Sequence, residues 1–570
     1  MLDFSRIDIS GLPATIVHLS HLEELRVQDC RDLTGEIPDA IGGLSCLRIL
    51  DLSRTGISGL PATIAHLSNL EELRVQDCRD LMGEIPDAIG GLSCLRILDF
   101  SRTDAIGGLS SLRILDLSRT GISGLPATIA HLSHLEELRV QDCRDLTGEI
   151  PDAIGGLSCL RILDLSRTGI SGLPATIAHL SHLEELHIQD CRDFTGEIPY
   201  GIGELPRLRI LDFSRIGIFG LPATIAPLSH LEELHIQDYM GLMGEIPNAI
   251  GQLSRLRILD FSGTNISDLP TMITRHPHLV ELRVRDCLHL MGKIPNGIGG
   301  LSSLRILEFS RTDCRHLTSE IPDAIGGLSR LRILDLSRTG ISSLPGTIAH
   351  LSHLEELRVQ DCRDFTGEIP YGIGELPRLR ILDFSRTGIF GLPATIAPLS
   401  HLEELHVQDY MGLMGEIPNA IGQLSRLRIL DFSGTNISDL PTIITRQPHL
   451  VELRVRDCLH LMGKIPNGIG GLSSLRVLEF SRTGISGLPA TIAHLSHLEE
   501  LRVQDCWELR GEIPDGIGGL SCLRILDFSR TGISGLHRHD CSSLSPRRVT
   551  CPDWRDLTGD IPDAIGGLSR

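Results

Sequence analysis

"LRILDLSRTGISGLPATIAHLSH" spans residues 112–134, and "LEELRVQDCRDLTGEIPDAIGGLSC" follows at once over 135–159. The pair recurs, nearly letter for letter, along most of the 570-residue chain. Self-similarity at this period marks an array of stacked coils rather than separate globular domains. Each unit opens L-x-x-L-x-L/V, the alternation of a short strand with one face in a core. In the 23-residue short unit Leu47, Leu50 and Leu52 point inward and Thr55 closes the strand; in the 25-residue long unit Leu22, Leu25, Val27 and Cys30 take those places. The return path brings back Leu60, Ile64 and Leu67, or Leu33, Ile37, Ile41 and Leu44. Pro61 and Pro38 stop regular pairing on that path, and Gly42-Gly43 is expected to supply a turn. The expected fold is α/β: a right-handed solenoid with one long concave parallel sheet and irregular or short helical convex segments.

Side chains between the strand leucines face outward. In-register stacking sets Arg48 beside Glu23 and Glu71, Asp51 beside Arg26 and Arg74, and Arg54 beside Asp29 and Asp77. Three columns then alternate in sign, which a single repeated unit could not achieve. Tandem duplication of an ancestral pair preserves alternation equally well. Duplication is visible, since residues 160–310 recur at 331–481.

Across essentially the whole chain these residues resemble the leucine-rich repeat family. The short unit, "LDLSRTGISGLPATIAHL", looks like repeats of plant intracellular disease-resistance receptors, and "LTGEIPDAIGGL" matches the plant L-x-G-x-I-P pattern. Their alternation is similar to the repeat region of TIR nucleotide-binding resistance proteins of the flax rust-resistance type. The resemblance implies a non-catalytic protein-interaction array in plant defence and innate immunity, sensing pathogen effectors or holding its own signalling domains inactive. The alternatives are an extracellular receptor-like or cell-wall-enzyme-inhibitor repeat protein, and a decayed repeat product without a partner.

Residues 1–536 read as one array, irregular at 95–111 and 304–330. The first irregular unit is only 17 residues long, a short-unit head spliced to a long-unit tail, so a kink is expected near Asp104. "HRHDCSSLSPRRVTCPDW" at 537–554 replaces a normal stretch of equal length. One coding of "IAHLSHLEELRVQ", shifted by a base, yields residues 540–552, so this segment reads as an out-of-frame repeat that packs badly. That reading outweighs a zinc site on His537, His539, Cys541 and Cys551. Residues 555–570 are a partial terminal repeat.

A net charge of −20 disfavours nucleic acid and anionic membranes as partners. No apolar run is long enough to span a bilayer and no secretory leader stands at Met1, so a cytoplasmic location is expected. Cys30, Cys78, Cys143, Cys191, Cys287, Cys362, Cys458 and Cys506 recur at one position of the long unit, as buried reduced thiols would. No phosphate-binding loop, kinase signature or nucleophile elbow is present, and neither an enzyme nor a cofactor is expected. "HLSHLEE" supplies His131, His134 and Glu136, but both histidines fall in the recurring turn, where solvation outweighs metal binding. The sequons at Asn265 and Asn436 are one position in duplicated blocks.

Binding then falls to the outward face, which is monotonous except near 235–311 and in its copy. There His235 and Tyr239 enter, Val280 replaces the usual glutamate, and Arg283, Arg285, Asp286 and Arg311 follow. The copy carries His406, Tyr410, Val451, Arg454 and Arg456. These residues are the candidate site for a protein partner with an acidic or mixed surface.

Overall fold

The computed structural model describes residues 1–535 and 548–550, apart from 76–77, 79–91, 93, 100–108, 110, 120–121, 195–197, 218–219, 238–242, 245, 288, 291–292, 311–320, 367, 390, 409–413, 416, 513, 515–516 and 518. The chain divides into two compact bodies, Met1–Leu279 and Val280–Arg570.

Within each body the L-x-x-L-x-L segments form three-residue strands of a parallel sheet. The described residues of the first body hold twelve such strands, from Leu2–Asp3 to Ile258–Asp260. The second body also holds twelve, from Glu281–Arg283 to Arg548–Thr550. Registers follow the sequence repeat: Glu24 lies opposite Ile49, Leu25 opposite Leu50 and Arg26 opposite Asp51. Each leucine row is sealed by the next coil, and Leu25, Leu47, Leu50 and Leu52 are fully buried. A single coil cannot bury both of its edges, so stability belongs to the stack. The sheet is a leucine-rich repeat solenoid, as the periodicity predicts. In some short coils Phe takes the last strand position, as at Phe213, Phe384 and Phe480, without exposure.

Strand exit has a fixed geometry that the repeat pattern does not announce. Arg54 and Asp29 adopt left-handed backbone conformations, with φ of 59° and 57°, and the equivalent residues of other coils do likewise. Where the sequence breaks its habit here it inserts Gly263 and Gly434, both at φ 76°. Thr55 then donates its hydroxyl to the Leu52 carbonyl at 2.7 Å.

The return path is a one-turn 3₁₀ helix in nearly every coil, such as Asp39–Gly43 and Ala62–His66. The proline before each sits in extended conformation at the helix entrance, where its missing N–H costs nothing. The expected role of Gly42-Gly43 as a turn is therefore corrected, since both lie inside the helix. The equivalent pair shows what the glycines do. A Cβ on Gly155 would stand 2.7 Å from the Thr176 carbonyl oxygen, and one on Gly156 would stand 2.9 Å from Ala130 Cβ. They allow neighbouring 3₁₀ helices to touch.

A second layer of pairing lies between strand and helix. The "TGE" of a long coil and the "GISG" of the following short coil form a two-stranded parallel ladder, as in Thr147–Glu149 with Gly169–Gly172. Six such ladders are described, each joining a long coil to the next short one. No ladder joins Gly484–Gly487 to Arg510–Glu512, although both strands are described. The ladder shifts register after Gly148, whose φ of 89° a side chain would strain.

The expected kink at Asp104 lies outside the described residues. On either side of it, Ile97–Asp99 and Ile114–Asp116 pair in unbroken register. The disrupted segment's His537, His539, Cys541 and Cys551 also lie outside the described residues. Its Arg548–Thr550 forms a strand, with Val549 opposite Leu526.

Candidate protein-binding face

The outward face is built from alternate residues of each three-residue strand and the positions beside it. Its first column behaves as the sequence predicts. Arg48 Nε donates to Glu71 at 3.0 Å, and the same forward pairing joins Arg161 to Glu184, Arg209 to Glu232 and Arg380 to Glu403 at 3.0 Å each. These hydrogen bonds hold Glu184, Glu232 and Glu403 below the usual carboxylate range. The outermost column pairs in both directions: Asp361 is bridged by Arg338 at 3.3 Å and Arg386 at 3.5 Å. The Asp77 expected beside Arg54 lies outside the described residues.

The middle column is different. Arg26 and Asp51 are neighbours in register, yet Arg26 reaches Glu24 of its own strand at 3.6 Å. Asp51 is nearly buried; it accepts the Ser53 amide at 3.0 Å and a hydrogen bond from the Gln28 side chain. Aspartate is too short to reach across while also holding its own turn. The column does pair across strands at Glu308, which meets Arg283 at 3.2 Å and Arg285 at 3.5 Å.

Contacts between coils also involve groups that looked merely solvated. The second histidine of "HLSH" meets the serine carbonyl of the preceding long coil: His182 Nδ1 lies 2.9 Å from Ser158 O and His353 Nδ1 2.8 Å from Ser329 O. Asn69 replaces this histidine in one coil and donates to Ser45 O at 2.9 Å. His276 and Gln447 occupy a position elsewhere filled by core leucine, and both are buried. Gln447 Nε2 donates to Ile421 O at 2.6 Å.

The predicted site residues separate by body. In the first, His235 is half-buried on Glu233–His235, with Nε2 3.4 Å from Glu233. In the second, Val280 is half-buried beside strand Glu281–Arg283, and Arg283 and Arg285 converge on Glu308. Asp286 takes the left-handed exit position at φ 56°. His406 lies opposite Asp431 and Asp431 opposite Arg454, which brings the copy's residues onto one row of the sheet. Arg454 pairs with Glu452 at 2.8 Å and Arg456 with Asp457 at 3.4 Å. Tyr239, Tyr410 and Arg311 lie outside the described residues. Among the described residues no helix is long and apolar enough to cross a membrane.

Comparison with known proteins agrees with this architecture. The family profile described as leucine-rich repeat region matches residues 30–105 and 410–503. No curated protein sequence matches the chain. Among solved structures, the plant peptide hormone receptor RGFR1 in complex with RGF2 is 27% identical, with 90% of this chain and 81% of that chain covered and a TM-score of 0.68. The leucine-rich repeat ectodomain of the Arabidopsis receptor kinase HAESA, solved with an IDA peptide hormone ligand, is 22% identical over 97% of this chain and 91% of its own, with a TM-score of 0.60. A repeat protein of Leptospira interrogans, LIC12759, is 23% identical over 76% of this chain and 94% of its own, with a TM-score of 0.54. These likenesses show that the chain has the leucine-rich repeat fold.

Proposed function

We propose that this chain is a non-catalytic protein-binding array that holds a partner segment along the outward face of its parallel sheet. The observation that carries this reading is the row His406, Asp431, Arg454, where charged and titratable side chains stand in register on a rigid strand ladder. Similarity to a receptor solved with a bound peptide hormone supports a protein or peptide partner. Selection from a displayed peptide library provides the test. Binders should be lost when Arg283, Arg285, Arg454 and Arg456 are together replaced by Glu, and retained when the exposed Tyr200 and Tyr371 of the 3₁₀ side are replaced by Ser. The opposite pattern would move the binding face off the sheet.

Two readings of the partner rest on different observations. None of the twelve described cysteines is in a disulfide, which supports a reducing, cytoplasmic setting. There the partner is a pathogen effector or the chain's own signalling domains, in defence recognition of the TIR nucleotide-binding type. Identity of 27% to a peptide hormone receptor supports instead an extracellular peptide ligand. Antibody detection of the native chain in cytosol versus apoplastic wash fluid separates the two.

A further inference from the structure

The short-coil arginines of the first outward column have a rule and an exception. Arg161, Arg209, Arg332 and Arg380 each bond forward to the glutamate of the next long coil, at 2.8 to 3.0 Å. Arg428 obeys the same register, but its forward neighbour is Val451, whose amide bonds to the Arg428 carbonyl at 2.7 Å. Behind it, Glu403 is already held by both Nε and Nη2 of Arg380, at 3.0 Å each. The exposed Arg428 side chain makes no hydrogen bond or ion pair with any described residue. In the duplicated block the equivalent Arg257 leans back to Glu232 at 3.7 Å, a contact that Arg428 does not make to Glu403.

A cavity of about 540 Å³ opens at this point, lined by Arg380, Glu403, Arg426, Arg428, His449 and Val451 among others. Three guanidiniums face one carboxylate there, a local positive excess on a chain of net charge −20. Valine is shorter than the glutamate it replaces and carries no charge, so it leaves both room and an unmet cation. Cavities of a few hundred cubic ångströms with a few polar groups are where ligand groups are held, and guanidinium pairs are suited to carboxylates.

We propose that this cavity receives an acidic side chain, aspartate or glutamate, from an extended segment of a protein partner, its carboxylate on Arg428 and Arg426 and its aliphatic stem against Val451. The partner supplies the carboxylate that the other long coils provide for themselves. The proposal deepens the protein-binding reading of this face and rests on it.

The test uses the full chain and a fluorescein-labelled peptide of alternating valine and glutamate, acetylated and amidated so that only side-chain carboxylates are present. Its lysine counterpart is the control, and anisotropy at low salt is the readout. The glutamate peptide should bind and the lysine peptide should not. Arg428→Ala should weaken binding at least about tenfold. Val451→Glu should weaken it by a similar factor while melting no lower than the parent, because it restores the alternating column. No binding of the glutamate peptide, or equal binding by Val451→Glu, overturns the proposal. If library-selected peptides still depend on Arg283, Arg285, Arg454 and Arg456 in that case, the face stands and this cavity alone is ruled out.

Discussion

Thr339 and Cys362 show how one residue can tie two coils together. The threonine hydroxyl donates to Leu336 O at 2.6 Å, and the cysteine, one coil later, points its thiol at the same carbonyl from 3.1 Å. Burial pushes the Cys362 thiol up to about 11, and Cys191, Cys458 and Cys506 are raised for the same reason. These thiols are accordingly expected to resist alkylation at neutral pH. Iodoacetamide on the native chain, mapped by peptide mass spectrometry, should label the exposed Cys94 and Cys522 and spare those four until denaturant is added. Their burial was legible in the sequence, because a cysteine that replaces an inward residue at every second coil has nowhere else to go. The left-handed turn at Arg54 and Asp29 was harder to see. Nothing about arginine announces a positive φ, although aspartate tolerates one better than most residues; Gly263 and Gly434 at the arginine position betray it.

At the scale of the element, the 3₁₀ helices pack through glycine. Gly155→Ala would set a methyl against the Thr176 backbone carbonyl, which cannot swing aside as a side chain could. The expected loss is about 1–3 kcal/mol, measured as a lower urea midpoint with an unchanged slope. Sequence reading placed these glycines in a turn because Gly-Gly usually marks one; the contact that requires them belongs to a neighbouring coil about 20 residues away and is invisible locally. The second-layer ladders were missed for a similar reason. Proline beside "TGE" and "GISG" argued against pairing, yet each proline sits past the ladder, at the helix entrance. These ladders also answer why two unit types alternate. Among the described residues, a long coil and its following short coil share hydrogen bonds that are lacking between Asn436–Ile437 and Met462–Lys464 and between Gly484–Gly487 and Arg510–Glu512, so the structural repeat there is the pair.

Over the whole molecule, the charge columns set the pH response. Glu184, Glu232, Glu355 and Glu403 lie below their ordinary value of 4.5 because a guanidinium bonds each of them. Their contribution is complete above pH 4.5 and is lost as pH falls through the lower folded values. The partner arginines are about half exposed, so each pair is worth under about 1 kcal/mol, and salt should weaken the effect. His276 acts in a higher window. Burial lowers its folded value below 6.5, so stability should begin to fall as pH drops through 6.5. Thermal melts from pH 8 to 3 should show both steps, and His276→Leu should remove only the upper one. A flat profile at low salt would contradict the ion-pair account. The leucine rows and registers of this array could be read from its letters, since they need only periodicity. The candidate site was legible in part: the sequence located Val451, but which arginine it leaves unanswered depends on Arg380 having already claimed Glu403.

The ladders constrain how such a gene can change length. Unequal crossing-over that gains or loses a long coil with its short successor leaves every ladder closed. A step of one coil strands a half-ladder with its edge amides bare, a penalty that favours growth by twos. The spliced junctions test that constraint: Ile97–Asp99 and Ile114–Asp116 keep their sheet pairing while two short-coil heads stand side by side, Arg96 next to Arg113. The inner sheet therefore tolerates an odd step, and the outer layer is where lineages that took one should carry the scar.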